Sequence, residues 1–381
     1  LVLLSAATAA AQVTYGDEGL SLRTPDGGFS AIIGWRNQVR FTTPFGAPPE
    51  DATDFDEIEL HEFGLNRSRL KAQGHLFTTR LTYAMQADFV EERVRDLNLS
   101  YEAREWLQMR AGWWKVELLL ERMQSSGSQQ LVDRSILDRW FTLGRQLGVQ
   151  VHGRVGGKSG YGGHYYVGAF RNVDVDAPGG ETLPVWLARY EWSWAGREPD
   201  GLQQGDPDAS RQLHLTVGTS VVRTESAQAF YSGAGIGETL PVPGLPDGDQ
   251  VPATADRYRT RQYAGDVAMK WRGVSLQGEI QRKEIQVTHT GQEQTLLGGY
   301  VMGGVLASTL WSRAPKALEF SARVALVDPA TGVRGDSQQE RVVGANWYLQ
   351  GHRRKVSVDL TRLNYATPTG TRQTDLRTRV Q

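Results

Sequence analysis

The chain has 381 residues with 42 basic and 43 acidic side chains, a net charge of −1 that gives no nucleic-acid footprint. Its mean hydropathy is −0.43, and no run of about 18 apolar residues exists, which excludes transmembrane helices. A transmembrane barrel survives that test, because strands that alternate apolar and polar residues keep average hydropathy low. The chain has no Cys, so no disulfide framework supports it.

Leu1 to Ala10 is an apolar run, and Ala9-Ala10-Ala11 before Gln12 fits an A-x-A cleavage site. No initiator Met or basic segment precedes it, so residues 1–11 are expected to be the remnant of a signal peptide. The alternative is a disordered or buried N-terminus. Residues 12–381 are then a single domain.

Period-two alternation recurs from near residue 29 to the end. At 79–89, Leu81, Tyr83, Met85, Ala87 and Phe89 oppose Arg80, Thr82, Gln86 and Asp88. At 185–194, Trp186, Ala188, Tyr190, Trp192 and Trp194 oppose Arg189, Glu191 and Ser193. At 274–283 and 318–327 the pattern repeats. One face of each strand therefore lies in apolar surroundings and the other in water.

About sixteen such segments appear, each near the ten residues that a tilted strand needs to cross the hydrocarbon. They span 29–41, 60–77, 79–89, 94–101, 105–113, 147–153, 164–171, 185–194, 212–222, 258–271, 274–283, 299–310, 318–327, 340–349, 354–365 and 375–381. Long connections (42–59, 114–146, 171–184, 223–257, 284–298, 328–339, 366–374) alternate with tight ones, as in outer-membrane barrels. Two break the rule: 90–93 is short for its side, and 195–211 is long and reads as a periplasmic excursion. A soluble sandwich also alternates, but the strands here are too long and too many. Trp113-Trp114, Trp192, Trp194, Trp271 and Trp347-Tyr348 also cluster near strand ends, as an aromatic girdle would. The expected fold is all-β: a transmembrane antiparallel barrel in a bacterial outer membrane, in contact with its lipid.

The polar strand faces carry Arg36, Arg40, Arg67, Arg69, Lys71, Arg80, Arg110, Arg189, Lys270, Lys283 and Arg323. Against them stand Asp88, Asp96, Glu191, Asp266, Glu279, Glu319 and Asp359. The excess of about four positive charges on a water-facing wall lies almost wholly in the first five strands. An anion entering a narrow pore loses solvation, and fixed cations must replace it. Such charges also pair across neighbouring strands simply to satisfy one another. Within the cluster Arg67, Arg69 and Lys71, three like charges on one face repel unless something anionic visits.

The 114–146 connection carries Lys115, Arg122, Arg134, Arg139 and Arg145 against Glu117, Glu121, Asp133 and Asp138. That net of about +1 is too small to impose selectivity by field alone. Val132, Ile136 and Trp140 are spaced i, i+4, i+8, a helical stripe. The connection is expected to be a constriction loop with a short helix packed on the barrel wall. The alternative is an external loop capping the mouth. The seven His have no metal-ligand spacing, and no nucleophile elbow, P-loop or Rossmann fingerprint appears. Neither an enzyme nor a cofactor is expected.

The segment Phe63-Gly64-Leu65-Asn66-Arg67-Ser68-Arg69-Leu70, with Gly74 and Phe77, resembles the second strand of the phosphate-selective porin O and P family. Ala87-Asp88-Phe89, Gly112-Trp113-Trp114-Lys115-Val116, Glu121, Ser125-Ser126, Arg134-Ser135 and Gly144-Arg145-Gln146-Leu147-Gly148-Val149 extend the likeness. Leu318-Glu319-Phe320-Ser321-Ala322-Arg323, Val327-Asp328 and Gly344-Ala345-Asn346-Trp347-Tyr348-Leu349 look like its late strands. The resemblance implies a sixteen-stranded barrel, usually a homotrimer. It also implies a loop folded into the lumen after the fifth strand and an Arg- and Lys-rich path for anions such as phosphate.

The chain departs from that family at Glu117-Leu118-Leu119, where Pro and Gly are common, and at Gln146, where an acid is usual. It also ends at Val380-Gln381 without a terminal aromatic, which reads as truncation. The expected function is a passive outer-membrane porin for small solutes, chiefly anions. The expected anion path is Arg36, Arg40, Arg67, Arg69, Lys71, Arg80, Arg110, Lys115, Arg134, Arg139 and Arg145. The alternative is a structural or partner-docking barrel without transport.

Overall fold

The computed structural model describes residues 11–16, 18–44, 61–156, 162–171, 183–194, 203–226, 257–366 and 372–381. Residues 1–10 and most of the long 223–257 connection lie outside that set, and with them most of the expected signal remnant. Sixteen long strands form the wall. In the first half they are β3 (Phe29–Thr43), β4 (Glu62–Leu76), β5 (Thr78–Asp88), β6 (Arg93–Arg104), β7 (Leu107–Lys115), β8 (Arg145–Val155), β9 (Gly162–Arg171) and β10 (Pro184–Trp194). The second half comprises β11 (His214–Ser226), β12 (Tyr258–Trp271), β13 (Val274–Val287), β14 (Glu293–Leu306), β15 (Leu318–Asp328), β16 (Gln338–Gln350), β17 (Arg354–Ala366) and β18 (Arg372–Val380).

Each wall strand pairs antiparallel with the next, and β18 returns to β3 through Thr378↔Thr43 and Val380↔Phe41. Closure removes the unpaired edges that hydrocarbon would not tolerate. A preceding hairpin, β1 (Gln12–Gly16) and β2 (Gly19–Arg23), pairs with the start of β3 through Leu20↔Ile33. Its strands are too short for a spanning pattern, and the alternation did not reveal them.

The outer face carries what the pattern assigned to it. Ile280 and Val301 are 71% and 61% exposed. Trp194, Trp271 and Trp347 stand outward near the C-terminal ends of their strands, but Trp114 and Tyr348, expected in the same girdle, are buried inside the barrel and donate to Glu117 and Glu319. Several boundaries differ from expectation, most at β13 and β14. β13 runs on to Val287 and β14 runs Glu293–Leu306 rather than 299–310, so the long connection expected at 284–298 is only 288–292, and Ala307–Leu310 forms a helical turn, α3. Gly298-Gly299 and Gly303-Gly304 remove the side chains whose alternation would have marked this strand.

Between β7 and β8 the chain turns into the barrel. It forms α1 (Leu120–Met123) and α2 (Ile136–Phe141). Val116, Leu118, Leu119, Leu131 and Phe141 are buried there in one cluster with lumen-facing Val222, Ile285, Val287 and Leu296. Burying a Leu side chain is worth about 1.5–3 kcal/mol, so this seam holds the loop inside. The wall makes room with glycine: a Cβ on Gly298 would lie 2.6 Å from Phe141, and one on Gly344 2.8 Å from Leu131. The helical stripe marked α2 but not its extent, since Val132 precedes the helix and Ile136 borders the open cavity, and the apolar patch on the inner wall was not legible.

Residues 203–210, read as part of an excursion away from the barrel, instead tuck against that loop. The Gln204 backbone N–H donates to Ser128 O at 2.9 Å, and its side chain accepts from the Gln130 N–H at 2.8 Å. His352 Nε2 donates to Gln204 O at 2.6 Å. Burial and nearby Lys355 push the His352 imidazole down to about 3, so it stays neutral.

Candidate functional site: a one-sided basic passage

The loop divides the lumen into two unlike halves. Toward β10–β18 its polar groups consume the charges of the wall. Glu121 accepts from the Ser135 N–H at 3.0 Å and faces Arg323 at 3.3 Å. Its own N–H donates to Glu279 at 2.5 Å. Gln130 donates to Glu319 at 2.8 Å, and the Val132 N–H donates to Asp359 at 2.9 Å. Arg189 is held by Glu191 and Asp266 at 3.0 and 2.7 Å. Buried charges persist only when matched in this way.

On the β3–β7 side, closed by β16–β18 through Glu340, Thr361, Arg377 and Arg379, an open cavity of about 820 Å³ remains. Thirteen basic and six acidic side chains line it, an excess of seven positive charges. Arg36, Arg67, Arg69, Lys71, Lys115, Arg134, Arg139 and Arg145, all anticipated from sequence, meet there. Several have no carboxylate partner. Arg36 donates to Ser125 and Ser126 Oγ, each at 2.9 Å. Arg67 donates over a long 3.4 Å to Gln38. Lys115 and Arg134 both donate to carbonyls at the end of α1, with Gln124 O at 3.0 Å from each. Lys71 makes no hydrogen bond or ion pair to a described residue.

Other cations are matched. Arg69 meets Asp88 at 2.6 Å, and Arg145 meets Asp96 at 3.0 Å. Arg40 does not line the cavity. It is buried against Asp133 at 2.8 Å. Arg110 lines a separate space of about 380 Å³, bound to Glu117 at 2.7 Å and lying over the Trp114 ring. Arg80 is exposed at the start of β5 and lines neither space. Asp96, Lys115 and Met123 border both cavities, so the waist between them lies at these side chains.

Arg95, Arg122, Arg377 and Arg379 also line the larger cavity and were not among the candidates. Arg95 sits in a bulge, where the partner of Gln86 is Asp96 and that of Ala87 is Val94. The extra residue lets Arg95 and Asp96 both face inward, which strict alternation forbids. Arg379 reaches Asp133 at 2.6 Å and Asp359 at 2.9 Å. Its strand pattern was visible, but its role needed the barrel to close.

The loop carboxylates are held in opposite ways. Burial alone would raise Asp133, but Arg40, Arg379 and Arg67 outweigh it and keep the carboxyl well below its usual range. Burial dominates at Glu121 and raises it, with Arg323 and Ser135 offsetting only part. Burial lowers the Arg122 guanidinium to about 10 despite Asp138 at 2.8 Å.

The fold and lumen together define a bacterial outer-membrane β-barrel of the general porin architecture. Solved structures agree. OmpT, an outer membrane protein of Vibrio cholerae, aligns at TM-score 0.54 and 10% identity, over 93% of this chain and 96% of that one. An anion-selective porin from Comamonas acidovorans aligns at 0.53 and 11%, over 92% and 98%. The outer membrane channel DcaP of Acinetobacter baumannii aligns at 0.54 and 10%, over 94% and 97%. At such identities the likeness is one of fold. No family model matches the chain, and no curated protein matches it.

Proposed function

We propose that the chain is a passive, anion-preferring diffusion channel. The observation that carries this reading is the one-sided lumen. Where the loop docks, charge is neutralised; where it does not, a cavity with seven excess positive charges stays open. Fixed cations lower the cost of stripping water from an anion and raise that of a cation. The path runs along Arg36, Arg67, Lys71 and Arg134 to the waist at Lys115. Phosphate and related oxyanions fit the planar donors of arginine, in keeping with the segments that resemble the phosphate-selective porin O and P family. A homotrimer belongs to the same reading. Cross-linking and mass measurement in detergent test it.

Reversal potentials of single channels in a potassium chloride gradient test the selectivity. Chloride permeability above that of potassium is expected, with phosphate competing for the path. A preference for potassium would overturn the anion reading. Absence of conductance in a folded barrel would favour a structural or docking role.

A further inference from the structure

The outer wall carries charge where its lipid-facing surface meets the long-loop side. Outward positions descend β12 as Arg261, Tyr263, Gly265, Val267, Met269 and Trp271. Those of β16 run Arg341, Val343, Ala345 and Trp347. The arginines therefore cap an apolar band that runs from Tyr263 to Trp271 on β12 and from Val343 to Trp347 on β16.

Register makes two of these positions unusual. Arg261 on β12 lies directly opposite Arg223 on β11, and Arg341 on β16 directly opposite Arg362 on β17. All four are exposed. Directly opposed residues on one face have Cβ atoms about 5 Å apart, and like charges there destabilise the sheet. Acids on the same rim are already engaged. Glu225 binds Arg259 at 2.8 Å and pairs with Arg223 at 3.6 Å, and Glu284, directly opposite Arg261 on β13, binds Arg282 at 2.7 Å. Arg261, Arg341 and Arg362 have no ion pair or hydrogen bond to a described residue.

We propose that these two arginine pairs are binding sites for the phosphate groups of phosphorylated glycolipids in the outer leaflet. A phosphate between two opposed guanidinium groups removes the repulsion and accepts paired hydrogen bonds from each planar fork. Beneath the second pair the wall is apolar and exposed at Val343 and Leu360, while beneath the first the exposed Tyr263 lies opposite Arg282, a further cation on the same face. The anion that seats there comes with an acyl tail, which favours a lipid over free phosphate. The pairs are separated by the four inter-strand steps from β12 to β16, roughly 19 Å at the spacing of neighbouring strands, so each site takes its own phosphate.

The test uses the purified full chain in neutral detergent, titrated with a diphosphorylated lipid A and with its dephosphorylated form. Bound lipid is counted by native mass spectrometry, alongside the thermal midpoint of the barrel. The phosphorylated lipid is expected to bind and raise the midpoint. Each Arg→Gln exchange at Arg261, Arg341 or Arg362 should weaken binding about fivefold, with conductance unchanged. Arg341→Lys with Arg362→Lys keeps the charge, protects against a folding artefact, and should weaken binding less than Gln. Equal binding of both lipids, an unaffected Arg341→Gln/Arg362→Gln variant, or the same stabilisation by inorganic phosphate alone would overturn the proposal. So would loss of oligomeric mass in that variant without loss of lipid, which would make the rim a contact between copies.

Discussion

Asp133 in the inward loop lies 2.6 Å from Arg379 on β18, the strand whose return to β3 closes the barrel. The same carboxylate meets Arg40 on β3 at 2.8 Å. One acid therefore ties the constriction to both sides of the seam. Removing one partner of a buried pair costs more than the pair contributes, because the other charge is left without compensation.

Asp133→Asn leaves Arg40 without its carboxylate and Arg379 with Asp359 alone. The expected result is a loosened loop: larger and noisier unit conductance in planar bilayers, with a thermal midpoint several degrees lower. A variant with native conductance and midpoint would remove Asp133 from this role.

Lys71 faces the cavity with no ion pair or side-chain hydrogen bond to a described residue, and Asp96 and Glu18 act on it only through space, so its charge remains available to the permeating ion. A unit charge at 4 Å in water is worth about 1 kcal/mol, roughly fivefold in a partition ratio. Lys71→Glu changes the charge by two and should lower the chloride-to-potassium permeability ratio by about fivefold or more. Arg80→Glu, outside both cavities, should change it far less. Equal shifts from the two variants would contradict an anion path along the β3–β7 side of the lumen.

Gly298 is where α2 meets the wall. A Val there drives a side chain into Phe141, an overpacking that costs about 1–3 kcal/mol. Faster proteolysis within the loop, with the barrel still folded on heat-modified gels, is the expected outcome.

The pH response follows from signs. The depressed Asp133 carboxyl stabilises the docked loop above the ordinary carboxyl value of about 3.9 and loses that contribution only below it. The raised Glu121 acts oppositely: the docked state binds its proton more readily, so acidification through that range favours docking. His352, lowered to about 3, does not titrate between pH 5 and 7. Acidification from pH 7 to 5 is therefore expected to hold the docked loop or tighten it, with the unit conductance of Glu121→Gln level across that window. A steep change in that window, persisting in Glu121→Gln, would require another titrating group.

Much of the architecture could be read from one dimension. A strand between lipid and water must alternate, so residues such as Leu318, Phe320 and Ala322 against Glu319, Ser321 and Arg323 announce both the strand and its faces. The aromatic ends, the alternation of long and tight connections, and the basic face of Arg67, Arg69 and Lys71 follow from the same local rule. Tertiary structure decided which charges remain available. Arg323 and Lys71 look alike in the sequence, yet Arg323 is enclosed by Glu121 and Glu340, while Lys71 fronts the cavity. Arg40 and Arg379 lie at opposite ends of the chain and meet at one carboxylate. Pairing of this kind depends on where a loop lands and where a sheet closes, and no periodicity encodes either.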